Sequence, residues 1–189
     1  MNEQSEMPNV NLAQKLSDKT AVVGIVGLGY VGIPLALRFS SVGFRVLGFD
    51  IDGDRVSSLN ADSSPIKHIT GEAVATMVSA GFEATVDFAR IADTDTIIIC
   101  VPTPLSKHRE PDLSFIVGTM EAVAPHLRPG QIVSLESTTY PGTTDEVLAP
   151  FITQRGLKIG EDVFLVYSPE REDPGNPDFT THTIPKVVG

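Results

Sequence analysis

The feature that most constrains this chain is a group of three closely spaced glycines, Gly27, Gly29 and Gly32, between an apolar run and a helical pattern. The apolar run, 21–26, is typical of a strand buried on both faces in a parallel sheet. A helix is predicted from about residue 30 to residue 42. Glycines spaced GxGxxG between a strand and a helix make a tight turn that brings backbone N–H groups close to a phosphate.

Each glycine of this loop has its own predicted role. Gly27 permits the tight turn, Gly29 lets the backbone approach a pyrophosphate, and Gly32 allows the helix to pack closely on the strand. Tyr30 and Val31 complete the loop. All five residues are therefore predicted to bind a dinucleotide.

Apolar runs alternate with helical patterns along the rest of the chain. Such alternation indicates an α/β fold with a doubly wound, mainly parallel, Rossmann-type sheet and right-handed crossovers. Further strands are predicted at 45–49, 83–86, 96–101, 131–135, 163–167 and 186–188. Helices are predicted from 52 or 54 to 60, and at 72–80, 87–92, 113–127 and from the 136–142 loop to about 155.

A carboxylate follows the second predicted strand. Asp50 lies about 20 residues after the first glycine, where such motifs carry an acid that accepts hydrogen bonds from the adenosine ribose. Its charge would repel a 2′-phosphate, so NAD is predicted as the cofactor rather than NADP. Arg55 is a candidate contact to the ribose or phosphate region. The alternatives are that Asp50 only caps the next helix and that Arg55 is an ordinary surface charge.

Hydroxyl side chains follow two later strands. Thr103 and Thr138 lie in the loops 101–104 and 136–142, and ligands of open α/β sheets bind beyond the carboxyl ends of the strands. Both are therefore predicted ligand contacts, with the alternative that they only cap the helices that follow. Cys100, in the apolar run before the first of these loops, is interpreted as a buried small hydrophobe rather than a nucleophile.

The loop after the strand 163–167 is charged. Glu170 is a candidate for positioning water or moving a proton, if a cleft tunes its acidity. The alternative is that this run of charges is solvated surface.

Charge and composition exclude several classes of protein. A net charge of -10 argues against a general nucleic-acid binder, although backbone N–H groups can still hold a small anionic ligand. The single cysteine excludes a disulfide framework within the chain, and the four histidines are scattered, so no metal is expected.

Residues 21–39 are apolar enough to suggest a membrane span, but their glycines favour strand, turn and helix. Residues 1–19 are interpreted as a polar, partly disordered lead-in in a cytoplasmic protein, followed by one domain, 20–189.

Together these motifs resemble the UDP-glucose/GDP-mannose dehydrogenase family. The resemblance rests on the following segments, in this order: GLGYVGIPLA at 27–36, FDID at 49–52, CVPTPL at 100–105, ESTTYPGTT at 136–144 and YSPERxxPG at 167–175. The last segment is similar to the branch that acts on UDP-N-acetylglucosamine or related N-acetylated sugars.

The resemblance implies a role for several residues. Val31, Asp50, Arg55, Thr103 and Thr138 would contact NAD, with Thr138 also near the catalytic water. Glu170 matches a glutamate implicated in hydrolysis and proton transfer, whereas Glu172 does not align cleanly and is assigned no role.

The resemblance also implies a reaction. The family oxidises the C6 alcohol of a nucleotide sugar to a carboxylate with two NAD, in enzymes that usually dimerise and that serve surface polysaccharide synthesis. Its catalytic cysteine and lysine belong to a C-terminal domain and a central helix that this sequence lacks. We therefore expect the chain by itself to bind NAD but not to complete the oxidation.

Two other functions stay open from the sequence. A β-hydroxyacid dehydrogenase begins with a similar glycine loop, although the loops at 136–142 and 168–175 match the nucleotide-sugar family better. A non-catalytic dinucleotide-binding module is the alternative from a different class.

Overall fold

The computed structural model describes residues 8–105, 111–169 and 187–189, and it places them in one sheet with helices on both faces. The strands are β1 (Val22–Val26), β2 (Arg45–Phe49), β3 (Glu83–Thr85), β4 (Thr96–Ile99), β5 (Gln131–Leu135) and β6 (Val163–Tyr167). The α-helices are α1 (Pro8–Ser17), α2 (Gly32–Ser41), α3 (Gly53–Asn60), α4 (Gly71–Ser79), α5 (Ser114–Val123) and α6 (Ala149–Thr153). Two 3₁₀ turns, Phe88–Asp93 and Ala124–His126, and a π-helical turn, Thr144–Leu148, complete the elements.

The sheet confirms the predicted fold class. Its six strands are ordered β3-β2-β1-β4-β5-β6, and every neighbouring pair is parallel. The order reverses between β1 and β4, because the chain moves outward from β1 on one side and then returns to build the other. In doubly wound sheets a dinucleotide binds at this reversal, beyond the carboxyl ends of the strands.

Two buried clusters hold the layers together, one on each face. Alternate strand residues point to opposite faces, so Val23 and Ile25 pack under one set of helices and Val26 packs under the other. The first face is covered by α2, α3 and α4, through residues such as Ile33 and Leu59. The second face is covered by α5, the π-helical turn and α6, through residues that include Met120, Leu148 and Ile152.

The polar lead-in contains a helix, α1, that its sequence does not predict. Leu12 of α1 is buried, and Lys15 Nζ lies 2.8 Å from Asp95 Oδ1. Asp95 precedes β4 at the amino edge of the sheet, and its side chain is only 4% exposed. Its other carboxylate oxygen accepts a hydrogen bond from the Val22 N–H at 2.9 Å, so one acid links α1 to two adjacent strands.

Arg128 adds a second cation to this carboxylate. Its Nη2 donates to Asp95 Oδ1 at 3.1 Å and to the Thr94 carbonyl at 2.7 Å. Burial by itself would raise the pKa of Asp95. The hydrogen bonds from Lys15, the Val22 N–H and Arg128 outweigh that effect and hold the pKa of Asp95 below its ordinary value. Asp95, Lys15 and Arg128 form what we call the amino-edge cluster.

Two predicted helices are shorter than expected, in each case because of a proline. The helix predicted at 113–127 ends as α5 at Val123 and continues only as a 3₁₀ turn containing Pro125. The helix predicted to reach residue 155 begins as the π-helical turn and becomes α6 at Ala149, with Pro150 in the first turn of α6. Proline has no N–H to donate to the preceding turn, so the regular α-helical hydrogen bonding is interrupted before Pro125 and before Pro150.

The last described residues pair with β6 without forming an assigned strand. Gly189 and Tyr167 exchange two backbone hydrogen bonds, of 3.0 and 2.9 Å. A pair of residues that exchanges both bonds is the antiparallel pattern. Residues 187–189 are not assigned as a strand, so the strand predicted at 186–188 is not found in its described part. Residue 186 lies outside the described residues.

None of the helices in the described ranges combines the length and apolarity needed to cross a membrane. The apolar stretch 21–39 is divided between β1, the glycine loop and α2.

Candidate functional site

The glycine loop joins the carboxyl end of β1 to α2 by close backbone packing. Gly27 has a φ of +94°, and a Cβ there would lie 2.9 Å from the Cys100 carbonyl oxygen. A Cβ on Gly32 would lie 1.9 Å from the Gly27 carbonyl oxygen, whereas one on Gly29 would meet nothing within 4 Å. Two of the glycines are thus required by packing, and the third leaves open space on the side of a possible ligand.

The start of α2 lacks a side-chain cap. Its N-cap residue is Val31, whose side chain cannot accept a hydrogen bond from the first turn. The first N–H groups of a helix have no partner within the helix and carry partial positive charge. This helix start can therefore bind an anionic group such as a pyrophosphate.

Asp50 is held at the end of β2 by the loop that it faces. Its carboxylate is 7% exposed, and Oδ2 accepts a hydrogen bond from the Leu28 N–H at 2.8 Å. Oδ1 accepts from the Asp52 N–H at 3.0 Å. The alternative that Asp50 caps the next helix is wrong, because the N-cap of α3 is Asp52, which accepts from the Asp54 and Arg55 N–H groups.

Arg55 is directed towards this carboxylate rather than into solvent. Its Nη1 lies 3.1 Å from Asp50 Oδ2, and its Nη2 lies 3.7 Å from Asp52 Oδ2. The side chain is 36% exposed, so the guanidinium is partly open to a ligand as well. The first turn of α3 thereby places a cation next to the acid that follows β2.

The two hydroxyl-bearing loops are hydrogen-bonded to each other. Thr103 Oγ1 donates to the Thr138 carbonyl at 2.7 Å, and Ser137 Oγ donates to the Val101 carbonyl at 2.7 Å. Neither threonine caps a helix: α5 starts at an N-cap residue, Leu113, that makes no side-chain bond, and the π-helical turn starts after Thr143. The capping alternative is therefore wrong for both threonines.

These parts surround one cavity of about 990 Å³ at the carboxyl edge of the sheet. It spans the point where the strand order reverses, which is the location expected for a dinucleotide. Gly32 lies behind the loop and does not line the cavity, and Glu170 lies outside the described residues. The predicted site residues that line the cavity are Gly27, Gly29, Tyr30, Val31, Asp50, Arg55, Thr103 and Thr138.

Several residues of the cavity wall were not predicted. One face of α5 contributes Phe115, Gly118, Thr119 and Ala122, whose spacing of three and four residues is that of a helix face. That spacing is visible in the sequence of the helix predicted at 113–127, but it does not show that this face borders the carboxyl edge of the sheet. Glu136 and Ser137, which open the second hydroxyl-bearing loop, also line the cavity.

Cys100, interpreted from the sequence as a buried small hydrophobe, packs against the buried cluster beneath α2, α3 and α4 but is less enclosed than that. It is half-buried and lines the cavity, next to the glycine loop. It follows β4, where the strand ends at the carboxyl edge, so its side chain is not enclosed by a helix layer on every side.

No metal centre is found in the part of the chain that the structure describes: no three His, Cys, Asp or Glu side chains there are grouped so as to hold an ion.

A parallel sheet in this order, a glycine loop at its reversal point and a buried acid after β2 define a dinucleotide-binding domain of the dehydrogenase class. Comparison with known proteins then identifies the family. The chain belongs to the UDP-glucose/GDP-mannose dehydrogenase family, whose NAD-binding domain matches residues 21–189. This assignment supports NAD as the cofactor and favours the family over the β-hydroxyacid dehydrogenases considered from the sequence.

Relatives with N-acetylated sugars in their names are among the most similar proteins. A UDP-N-acetyl-D-glucosamine 6-dehydrogenase of Pseudomonas aeruginosa is 36% identical over 171 residues, which cover 90% of this chain and 40% of that protein. The chain spans about two-fifths of the length of such curated relatives.

Solved structures agree with this assignment. The UDP-N-acetyl-mannosamine dehydrogenase Cap5O of Staphylococcus aureus superposes with a TM-score of 0.74 and 32% identity, covering 82% of this chain and 38% of that one. An NDP-N-acetyl-D-galactosaminuronic acid dehydrogenase of Methanosarcina mazei Go1 also gives a TM-score of 0.74, with 33% identity, covering 86% of this chain and 37% of that one.

Proposed function

We propose that residues 20–189 form the NAD-binding domain of an enzyme that oxidises the C6 alcohol of a UDP-N-acetylhexosamine to a carboxylate with two NAD. The observation that carries this proposal is that one cavity at the sheet reversal brings the glycine loop, Asp50 and both threonine loops together. Bound NAD would supply the hydride acceptor, and the residues of this chain would bind and orient it.

Each part of the cavity has a distinct role in this proposal. The glycine loop and the start of α2 hold the pyrophosphate, because the loop lines the cavity and the helix start has no side-chain cap. Asp50 and Arg55 contact the adenosine ribose. Thr103 and Thr138 line the other half of the cavity, and Thr138 with Glu170 is assigned to the catalytic water and proton transfer.

The preference for NAD over NADP follows from the charge at Asp50. Its carboxylate is held in place by the Leu28 and Asp52 N–H groups, so it cannot turn away from an incoming phosphate. Arg55 already pairs with the same carboxylate and offsets only part of its charge. A 2′-phosphate would therefore meet a fixed negative group at short range.

The substrate class rests on the relatives. Their names include enzymes for UDP-N-acetyl-D-glucosamine and UDP-N-acetyl-D-mannosamine, which differ in one epimeric centre of the sugar. We extend that substrate class, a UDP-N-acetylhexosamine, to the whole enzyme to which this domain belongs. We also propose that this enzyme is a homodimer, is located in the cytoplasm and takes part in polysaccharide synthesis.

Calorimetric titration of the chain with NAD and with NADP tests the cofactor assignment. Asp50→Ala removes the ribose acceptor, and hydrogen bonds to charged groups contribute about 1.5–3 kcal/mol each, so we expect NAD affinity to fall at least about tenfold. Asp54→Ala is the matched control, because it removes an exposed carboxylate in the first turn of the following helix, α3, and Asp54 does not line the cavity.

The outcomes separate clearly. Binding of NAD that is tighter than that of NADP, and weaker in Asp50→Ala but not in Asp54→Ala, supports the proposal. Equal binding of both cofactors, or an equal loss in the two variants, contradicts the role of Asp50.

A further inference from the structure

Glu136 is a buried acid that the proposed function does not use. It follows β5 directly, is 6% exposed and lines the cavity. Its Oε1 lies 3.5 Å from Ser134 Oγ, the residue two positions earlier on the same face of the strand. The next helical element begins only at Thr144, so Glu136 does not cap a helix. Burying a carboxylate is costly, and acids placed in this way are often functional.

The strand order places Glu136 in the half of the cavity opposite to Asp50. Asp50 follows β2 and Glu136 follows β5, with β1 and β4 between them. Three spacings between neighbouring strands separate the two ends by about 14 Å. The glycine loop after β1 lies between the two acids. If the pyrophosphate binds there and the adenosine ribose binds at Asp50, the nicotinamide extends towards Glu136. This step rests on the proposed binding of NAD.

The nicotinamide ring is the part of the cofactor whose charge changes in the reaction. It carries a positive charge in NAD⁺ and none in NADH, while the rest of the molecule stays the same. The acids that line the cavity among the described residues are Asp50, Asp52 and Glu136, and the first two lie at the adenosine end. A carboxylate at the nicotinamide end attracts the positively charged oxidised ring, and it has no comparable electrostatic attraction to the neutral reduced ring.

We propose that Glu136 contacts the nicotinamide end of the cofactor and makes the site prefer NAD⁺ over NADH. An enzyme that uses two NAD in succession must release NADH and take up NAD⁺ between its two hydride transfers. A fixed negative charge beside the ring favours both steps, because its attraction disappears when the ring accepts the hydride.

The experiment measures dissociation constants of NAD⁺, NADH and ADP-ribose for the whole chain. ADP-ribose lacks only the nicotinamide, so it reports on the fold and on the contacts to the rest of the cofactor. Glu136→Gln keeps the size of the side chain and removes its charge, and Glu136→Asp keeps the charge. Glu161→Gln makes the same charge change at the opposite edge of the sheet, where Glu161 forms an exposed ion pair with Lys158.

In Glu136→Gln we expect NAD⁺ affinity to fall about tenfold, equal to about 1.4 kcal/mol, with NADH and ADP-ribose changed by less than about threefold. Glu136→Asp should keep most of the preference for NAD⁺. The Glu161→Gln chain should behave as the unmodified one for all three ligands.

Other results would overturn the inference in distinguishable ways. Equal weakening of NAD⁺ and NADH would mean that the charge of Glu136 does not act on the ring. Weakening of ADP-ribose as well would mean that Glu136 only maintains the cavity. If the unmodified chain binds NAD⁺ and the variant does not alter it, Glu136 has no such role while the proposed function stands. If the unmodified chain binds neither NAD⁺ nor ADP-ribose, the proposed function fails together with this inference.

Discussion

Replacing Asp95 with asparagine is expected to destabilise the fold without touching the cavity. The carboxylate faces donors on both sides: Lys15 and Arg128 approach Oδ1, and the Val22 N–H approaches Oδ2. An amide has one acceptor oxygen and one NH₂ group. Whichever way it turns, its NH₂ group opposes a donor.

The magnitude follows from these contacts and their exposure. A hydrogen bond to a charged group contributes about 1.5–3 kcal/mol, and the asparagine loses at least one such bond together with the charge. Lys15 and Arg128 are 39% and 37% exposed, so water compensates them in part. We expect a loss of about 2–3 kcal/mol in the free energy of unfolding, or about 5–10 °C in Tm for a chain of this size.

The dependence on pH gives a second test of the same acid. Because the pKa of Asp95 is lower in the folded chain than in the unfolded chain, its ionised form stabilises the fold. That contribution is complete above the unfolded pKa, about 4, and is lost as the pH falls through the lower folded value. The stability difference between the two chains should therefore be largest near neutral pH and shrink below about pH 4.

Urea and thermal unfolding, followed by circular dichroism at neutral pH and near pH 3, measure both effects. Glu161→Gln is the control, because it removes an acid from an ion pair whose side chains are 70% and 69% exposed, and its Tm should not change. A Tm for Asp95→Asn within about 1 °C of the unmodified chain would refute the assigned role of the amino-edge cluster.

Further substitutions test the glycine loop and a buried amide. Gly32→Ala should prevent folding or NAD binding, because its Cβ would meet the Gly27 carbonyl oxygen at 1.9 Å. Gly29→Ala should keep the same Tm yet weaken NAD binding in calorimetry, since Gly29 lines the cavity and has no neighbour within 4 Å of a Cβ; a loss of fold in both variants would contradict this distinction. Gln131→Leu should cost about 3 kcal/mol in urea unfolding, because the amide is fully buried and makes three hydrogen bonds. The exposed Gln154→Leu should cost nearly nothing, and equal stability of these two chains would show that the bonds of Gln131 do not matter.

Patterns local in sequence predicted much of the fold. The apolar runs 45–49, 131–135 and 163–167 are strands with the predicted bounds. Continuous apolar runs of this length fit strands covered on both faces, and the glycine spacing marked the turn into α2, where a Cβ on Gly27 or Gly32 would be too close to backbone atoms. The break at Pro125 is also readable from the sequence, since a proline beyond the first turn of a helix has no N–H to donate to the turn before it.

Features that depend on distant contacts were not predictable in this way. The helix α1 has a polar sequence, and it docks through Leu12 and an ion pair between Lys15 and Asp95, which are far apart in the chain. Likewise, the sequence around Glu136 is the same whether its carboxylate faces water or the cavity, so the burial of Glu136 could not be predicted from it. Only the assembled sheet decides between the two.

The parallel sheet separates the chemistry of this domain between its two edges. The residues proposed to bind the cofactor lie at the carboxyl edge of the sheet, while the amino-edge cluster and Gln131 lie at its amino edge. Neither group shares a hydrogen bond with the other among the contacts described above. Substitutions that retune cofactor choice can therefore accumulate at one edge while the anchors at the other keep the chain folded, which makes the domain easy to diversify by evolution and by engineering alike.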